Sequence, residues 1–360
     1  MQPSSERDRA DVLVIGDGII GLSIALEVAR SGGSCHVIGK SVDGQASSAS
    51  AGLLAPSLGQ ADPRFRAFML ASRDLYPDWV RWLAERTGIE VPLSRLGILE
   101  THSSSLTPLT PAQGPESRRL SAAEVRELEP ALRATEPGVL HVNDGYVDNV
   151  TLLRALREAL RCEWSVDFVN GRGASVEPSP EGCSVRTEDG RTLYGGTVVL
   201  AAGAWSPLVA GLPHAVIVEA VRGQMLLLEG APLSRAVSAP DAYLVPRGTQ
   251  TLVGSTLERV GFDARTTPAA HEHLRQAAIS AVPDFEEATV LGSWAGLRPM
   301  TPDGLPILGR DPDMPNLVYS CGHGKNGILL APLTAECVVE TIANSQPRFD
   351  LSPFSITRFA

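Results

Sequence analysis

The stretch "DVLVIGDGIIG" (11–21) constrains the fold more than any other part of the chain. Its first half is an almost unbroken apolar run, the pattern of a strand buried on both faces of a parallel sheet. The residues that follow, "LSIALEVARSGG", keep helical periodicity until the glycines at 32 and 33 stop it. "SCHVI" (34–38) then reads as a second parallel strand. Strand, glycine turn, helix and strand make one βαβ unit, right-handed by the usual connection rule. Within it Gly16, Gly18 and Gly21 have the G-x-G-x-x-G spacing. Gly16 allows the tight turn, Gly18 lets the backbone approach a pyrophosphate, and Gly21 permits close helix–strand packing. The helix start at Ile19 and Ile20 offers unpaired N–H groups and a positive dipole end to phosphates. Alone the hexapeptide is a weak signal; between a strand and a helix it predicts a dinucleotide site.

One feature of that unit departs from the pattern. An Asp or Glu normally ends the second strand and holds the adenosine ribose. Here Gly39 stands there, followed by Lys40. The ribose must then be held by backbone, water or another side chain. The alternative is room and positive charge for a 2′-phosphate, hence NADP; features further along the chain favour a flavin instead.

The rest of the chain alternates less regularly. Residues 63–87 read as a helix with Trp79, Trp82 and Leu83 on one face. The Pro- and Ser-rich 101–119 reads as a surface loop, and "SAAEVRELEP" offers a capping box between Ser121 and Glu124. "VTLLRALREALR" is an amphipathic helix, and 166–201 breaks into short strands ending in "TVVLAAGAWS". Antiparallel alternation marks 215–257 and 288–298, interrupted by a helix at 268–281, and a last helix spans about 326–344. Apolar strand-and-glycine segments at both ends with strands between them imply a discontinuous arrangement. The fold class expected is α/β with an α+β insertion: a Rossmann-like nucleotide domain carrying an inserted antiparallel-sheet substrate domain. The first would take 11–80, 145–210 and 299–345, and the second 81–144 and 211–298, with tails at 1–10 and 346–360.

Composition narrows the function. A net charge of −10 leaves no electrostatic footprint for nucleic acid or an anionic membrane surface. No apolar run approaches the ~20 residues that span a bilayer. The N-terminus lacks the apolar core of a signal peptide and reads as a short disordered tail. Five cysteines without a CxxC pair or metal-like cluster suit reduced thiols in a cytoplasmic protein, and no metal is expected. Against that background Arg298, in "SWAGLRPMTPDGLPILGR", stands out. It sits in an apolar strand-like run, and a guanidinium is costly to bury unpaired. Its partner is either an internal carboxylate or the carboxylate of a ligand.

The glycine motif, "SSASAGLLAP" (47–56), "VVLAAGAWS" (198–206), "AGLRPMTPDGLPILGR" (295–310) and "GHGKNGILLAP" (322–332) occur in the order seen in FAD-dependent D-amino acid oxidase-like enzymes. The chain resembles that family from 11 to about 345, and within it the glycine oxidases of thiazole (thiamine) biosynthesis. The first motif is common to many dinucleotide folds; the last two together are specific. The resemblance implies non-covalent FAD, because sarcosine oxidase relatives attach flavin through a cysteine where this chain has Met300, and Cys321 lies in a different motif. It implies that Ala46, Ser47, Ser48, Ala51, Gly52 and Leu53 run along the flavin, with Leu53 also facing substrate. A Ser/Ala-rich turn without a ligand is the plainer reading. Ala202, Gly203 and Trp205 would lie beneath the diphosphate, or merely pack the core. The Gly173 backbone would meet the adenine. His323, Gly324, Lys325, Asn326, Gly327, Ile328 and Leu329 would set a helix N-terminus against the flavin N1 and C2=O. Lys325 stands where glycine oxidases commonly carry arginine and supplies a point charge without the planar fork. His323 could equally be structural and has no acid–base duty.

By the same resemblance, Arg298 binds a substrate carboxylate as a bidentate ion pair and Tyr243 reaches it with its hydroxyl. Leu257 joins Leu53 in walling the cavity. Asp241 either starts a turn or favours a substrate with extra positive charge. The implied reaction is oxidation of glycine or another small amino acid, sarcosine included, by hydride transfer from Cα to flavin N5. Imine hydrolysis gives a 2-oxo acid and ammonia, and O2 is reduced to hydrogen peroxide. The alternatives are a dehydrogenase passing electrons to a quinone or carrier, an oxidase of a larger or secondary amino acid, and a non-catalytic nucleotide-binding protein. A homotetramer is implied by resemblance alone.

Overall fold

A computed structural model describes residues 8–59, 61–101, 116–133, 136–163, 165–180 and 182–359. The strand Arg9–Ile15 lies parallel between Cys35–Gly39 and Thr192–Leu200. Val166–Asn170 extends this parallel core on one side and Leu317–Cys321 on the other. Three more strands complete an eight-stranded sheet: Gly173–Ser179, Gly182–Thr187 and Ile307–Arg310. The apolar run at 12–15 divides by parity. Val12 and Val14 enter one core cluster with the helices Ile19–Arg30, Pro63–Thr87, Asn149–Arg161 and Gly327–Ile342, whereas Leu13 and Ile15 enter another on the opposite face. Both faces are dry, so the strand needs no polar alternation.

The long helix Pro63–Thr87 begins where the Asp62 carboxylate accepts from the N–H of Arg64 (2.9 Å) and Phe65 (3.3 Å). Pro63 fits the first turn, and Gly88, with φ 69°, ends the helix in the left-handed region. The capping box at Ser121 and Glu124 is present.

The second sheet also has eight strands, in the order Val290–Met300, Glu219–Glu229, Gln250–Gly254, Tyr243–Arg247, Ala236–Ser238, Ile98–Glu100, Gly138–His141 and Ser117–Leu120. Its pairings are antiparallel except that Ala236–Ser238 runs parallel to Ile98–Glu100. The sheet expected as antiparallel is therefore mixed, because a segment from the chain's first third is inserted beside one well over a hundred residues further on. The helix Pro268–Ala281 packs Leu274, Ala277 and Ala278 on this sheet. The fold is a mixed α/β one: a Rossmann-like FAD-binding region with an inserted β-sheet substrate domain.

Two expectations need correction. The loop expected at 101–119 lies largely outside the described residues, and its end forms the strand Ser117–Leu120 against Gly138–His141. The stretch 346–360 is not a loose tail through its described length: Phe354 and Ile356 are buried, and Phe354 makes edge contacts with Phe65 and Phe68. Among the described residues no helix is long and apolar enough to cross a membrane.

Candidate active site

The glycine turn is shaped by close backbone approach. Gly16 has φ 122°, and a Cβ there would overlap the Ala201 carbonyl; a Cβ at Gly21 would overlap the Gly16 carbonyl. The helix after the turn has Gly18 as its N-cap, with no side-chain cap and no acid in its first turn. Its positive end faces a cavity. Ser47 Oγ accepts from the Ile19 N–H at 3.0 Å, and Asn149 Nδ2 donates to the carbonyls of Ser47 (2.9 Å) and Ser48 (3.2 Å). These bonds draw the Ser/Ala-rich loop against the turn.

That cavity, about 290 Å³, brings together most of the expected site. Gly16, Gly18, Ile19 and Ile20 line it from the turn, with Gly39 and Lys40 from the second strand and Ala46 and Ser47 from the loop. Gly173, Ala202, Gly203 and Trp205 close another side. His323, Gly324 and Lys325 enter from the turn before the final helix, Gly327 and Ile328 from its first turn, and Arg298 from the second sheet. Other expected residues stand behind this wall. Gly21 is a packing glycine, Ser48 is exposed, and Ala51 and Gly52 are buried, with Gly52 against the Val147 carbonyl. Leu53 is paired with Tyr146. Asn326 occupies the N-cap position of the final helix without a side-chain cap bond, while Leu329 lies in the core and its carbonyl accepts from Ser72 Oγ at 2.7 Å.

Arg298 sits on Val290–Met300, paired with Val221 of the neighbouring strand. Its guanidinium lies over Gly223, where any Cβ would overlap it. Arg298 Nη1 donates to the Thr256 carbonyl at 3.1 Å and Nη2 to Ser255 Oγ at 2.5 Å. Among the described residues no carboxylate lies within 4.0 Å of it. The internal salt bridge weighed from the sequence is thus absent there. A guanidinium held by two neutral acceptors, with donors to spare, faces the cavity.

Tyr243 pairs with Gly254, and its hydroxyl donates to Met225 Sδ at 3.4 Å. A thioether is a weak acceptor, so a stronger one would redirect this hydroxyl. Tyr243, Leu53, Tyr146 and Trp294 pack on one small core cluster that includes Met225, and Met225 lines the cavity. Leu257 is a correction: it is 68% exposed and does not line the cavity. Asp241 is exposed at the start of a turn.

The final helix also points an uncapped N-terminus, without an acid in its first turn, at the cavity. His323 is buried with Nε2 3.4 Å from Thr334 Oγ1, and burial lowers its pKa to about 3, so it is neutral at working pH. Cys321 is buried and its thiol is pushed up to about 12 by burial, which keeps it from acting as a thiolate. Among the described residues one group of possible metal donors exists, His214, Asp311 and Asp313. Asp311 already accepts from Tyr319 Oη (2.7 Å) and from the N–H of Asp313 and Met314 (2.8 Å each), so it serves as a turn staple.

The residues behind Arg298 are not evident in the sequence. Glu258 Oε1 accepts from Thr256 Oγ1 (2.5 Å) and Gln224 Nε2 (2.7 Å), and Oε2 pairs with Arg222 at 2.5 Å. Burial, the largest single influence on Glu258, favours its neutral form. The bonds from Arg222, Thr256 and Gln224 together outweigh it and hold the pKa below the ordinary value. The contribution is present above the ordinary carboxylate range near ~4.3 and lost as pH falls through the lowered value. Glu258 thus positions the Thr256 carbonyl and, through it, Arg298. Glu258→Ala is expected to raise KM for a carboxylate substrate about tenfold with a smaller change in kcat, and Glu258→Gln to fall between. Steady-state kinetics check this; an unchanged KM contradicts it.

A glycine turn at a helix N-terminus, a second helix without a side-chain cap facing the same cavity and an arginine over its far end, without a carboxylate partner among the described residues, define a dinucleotide-dependent oxidoreductase class. The family model for FAD dependent oxidoreductases matches residues 11–341, and the chain belongs to that family. It is 32% identical to the glycine oxidase of Pseudomonas putida, over 96% of this chain and 97% of that protein. It is 33% identical to the glycine oxidase of Geobacillus kaustophilus, over 97% of each. The crystal structure of glycine oxidase from that organism superposes with a TM-score of 0.91 at 31% identity, covering 97% of this chain and 99% of that one. The iminodiacetate oxidase structure from Chelativorans sp. BNC1 gives 0.87 at 26% identity, covering 96% and 98%.

Proposed function

We propose that the protein binds FAD without a covalent link and oxidises a small amino acid, glycine or a close relative such as sarcosine. A primary amino acid, O2 and water become a 2-oxo acid, ammonia and hydrogen peroxide; an N-methyl substrate oxidised at the same carbon releases methylamine in place of ammonia. The observation that carries this reading is Arg298: a cavity-facing guanidinium with only neutral acceptors among the described residues. FAD suits the cavity on this structure's own terms. Cβ atoms at Gly16 and Gly21 would fill the turn, and two helix N-termini lacking acids face the space. The glycine turn would hold the diphosphate, and Gly327 with Ile328 would face the flavin ring. When bound, FAD would supply the two-electron oxidant for the substrate Cα–H and pass the electrons to O2.

The chain's own residues orient the substrate. Arg298 takes the carboxylate through a pair of charge-assisted hydrogen bonds, and Tyr243 turns its hydroxyl from Met225 to the same group. The carboxylate so fixed leaves the Cα–H in one direction, which removes most of the orientational cost of reaction. Buried His323, its pKa lowered by burial, stays neutral and is a poor proton acceptor at working pH, and the scheme asks for no general base. In this reading 11–80, 145–210 and 299–345 form the cofactor domain, and 81–144 with 211–298 the substrate domain.

A secondary-amine substrate is the second reading. It is favoured by Leu257 standing outside the cavity wall and by the likeness to an iminodiacetate oxidase. Glycine, sarcosine and D-alanine are to be added anaerobically to the flavin-loaded protein, followed by an oxygen-electrode trace. Bleaching by glycine with O2 uptake is expected. Bleaching only by the secondary amine shifts the substrate, bleaching without O2 uptake makes the protein a dehydrogenase, and no bleaching by any amino acid removes the proposal.

A further inference from the structure

The acid missing from the end of the second strand has not vanished. We infer that Asp17, the second residue of the glycine turn, supplies from the opposite side the carboxylate that receives the adenosine ribose hydroxyls of FAD. This deepens the cofactor reading above and rests on it. A Cβ built at Gly39 would overlap Asp17 Cβ and Cγ and stand 2.8 Å from Asp17 Oδ1. The Asp17 carboxylate therefore fills the space that a side chain at residue 39 would occupy. The two positions exclude each other: glycine at 39 is what admits the acid at 17.

The carboxylate is held ready for an acceptor role. Oδ1 accepts from Gln45 Nε2 at 3.2 Å, and Oδ2 lies 3.3 Å from Arg157 Nη2, which also donates to the Asp17 carbonyl at 3.0 Å. Both side-chain contacts are long, and a carboxylate has about four lone-pair sites, so acceptor capacity remains. Asp17, Gly39, Lys40 and Gln45 all line the cavity. Arg157, on the helix Asn149–Arg161, fixes the orientation and offsets the charge without entering the cavity wall. The same placement disfavours NADP, since a 2′-phosphate beside Gly39 would meet this carboxylate.

The test is a titration of the apoprotein with FAD and with an FAD analogue lacking both adenosine ribose hydroxyls, read by flavin fluorescence. Wild type is expected to prefer FAD by at least about tenfold, the scale of hydrogen bonds to a charged acceptor. Asp17→Ala is expected to bind FAD at least about tenfold more weakly and to lose the preference between the two ligands. The double variant Asp17→Gly with Gly39→Asp restores the acid at the other position and should recover most of the preference. Equal binding of both ligands by wild type overturns the inference, as does an undiminished preference in Asp17→Ala. The wild-type comparison stands even if a variant fails to fold. Wild type that binds no FAD at all rejects the cofactor reading itself, and the inference with it.

Discussion

Arg298→Ala should give a yellow, FAD-loaded protein whose kcat/KM for its amino acid falls at least ~100-fold, about 3 kcal/mol at 25 °C. The size follows from what the guanidinium does. It leans on Gly223, is steadied by Ser255 Oγ and the Thr256 carbonyl, and has no carboxylate of the protein within 4.0 Å among the described residues. Removing it deletes both charge-assisted bonds to the substrate and also frees the Cα–H from its one direction. Arg298→Lys keeps the charge and loses the fork, so it should recover only part of the rate. Flavin content should not change, because the glycine turn and the N-terminus of the final helix are formed by backbone that the Arg298 side chain does not hydrogen-bond. Stopped-flow reduction of bound flavin reads the effect directly. A variant reduced as fast as wild type would remove Arg298 from substrate binding.

The second large effect concerns stability. Arg73, in the long helix, is only 2% exposed, and its guanidinium contacts Glu116 (2.8 Å), Asp74 (2.9 Å) and Asp144 (3.0 Å). Asp144 is fully buried and accepts also from the N–H and hydroxyl of Ser57 at 3.0 and 3.2 Å. The hydrogen bond from Arg73 to Glu116 holds that carboxyl below its ordinary pKa. Its contribution is therefore present above the ordinary range and lost as pH falls through the lowered value. Arg73→Ala leaves the Asp144 charge without its partner, a change that costs about 3–5 kcal/mol when the site is dry. Urea unfolding of the FAD-loaded protein, followed by two probes, should show the midpoint falling accordingly. A loss below about 1 kcal/mol would mean that water reaches Asp144.

What could be read from the chain alone divides along local and distant lines. The dinucleotide turn was legible because strand, Gly16, Gly18, Gly21 and helix are contiguous, and each glycine answers a local steric demand. Arg298 was legible as a cation in an apolar strand. Its supports were not: Gly223, Ser255, Thr256 and Glu258 reach it from other strands and loops, and nothing near residue 298 announces them. Leu257 was misplaced for a related reason. One residue's difference in a turn decides which side chain is covered: Leu257 is exposed, whereas Thr256 Oγ1 bonds to the Gln224 N–H and to Glu258. Arg73 reads in the sequence as one more charge on a helix face; only folding brings residues 116 and 144 to it. Gly39 signalled a missing acid, but its replacement lies 22 positions earlier, on a turn that packs beside it.

The central claim is that Arg298 anchors an acid group so that the neighbouring carbon faces the cofactor. A crystal structure of the FAD-loaded protein with glycolate, an unreactive carboxylate of the substrate's size, tests it most directly. The account predicts the carboxylate paired with both terminal nitrogens of Arg298, within reach of Tyr243 Oη, and its carbon against the flavin. Glycolate bound elsewhere, with Arg298 paired to a carboxylate of the protein, would contradict it.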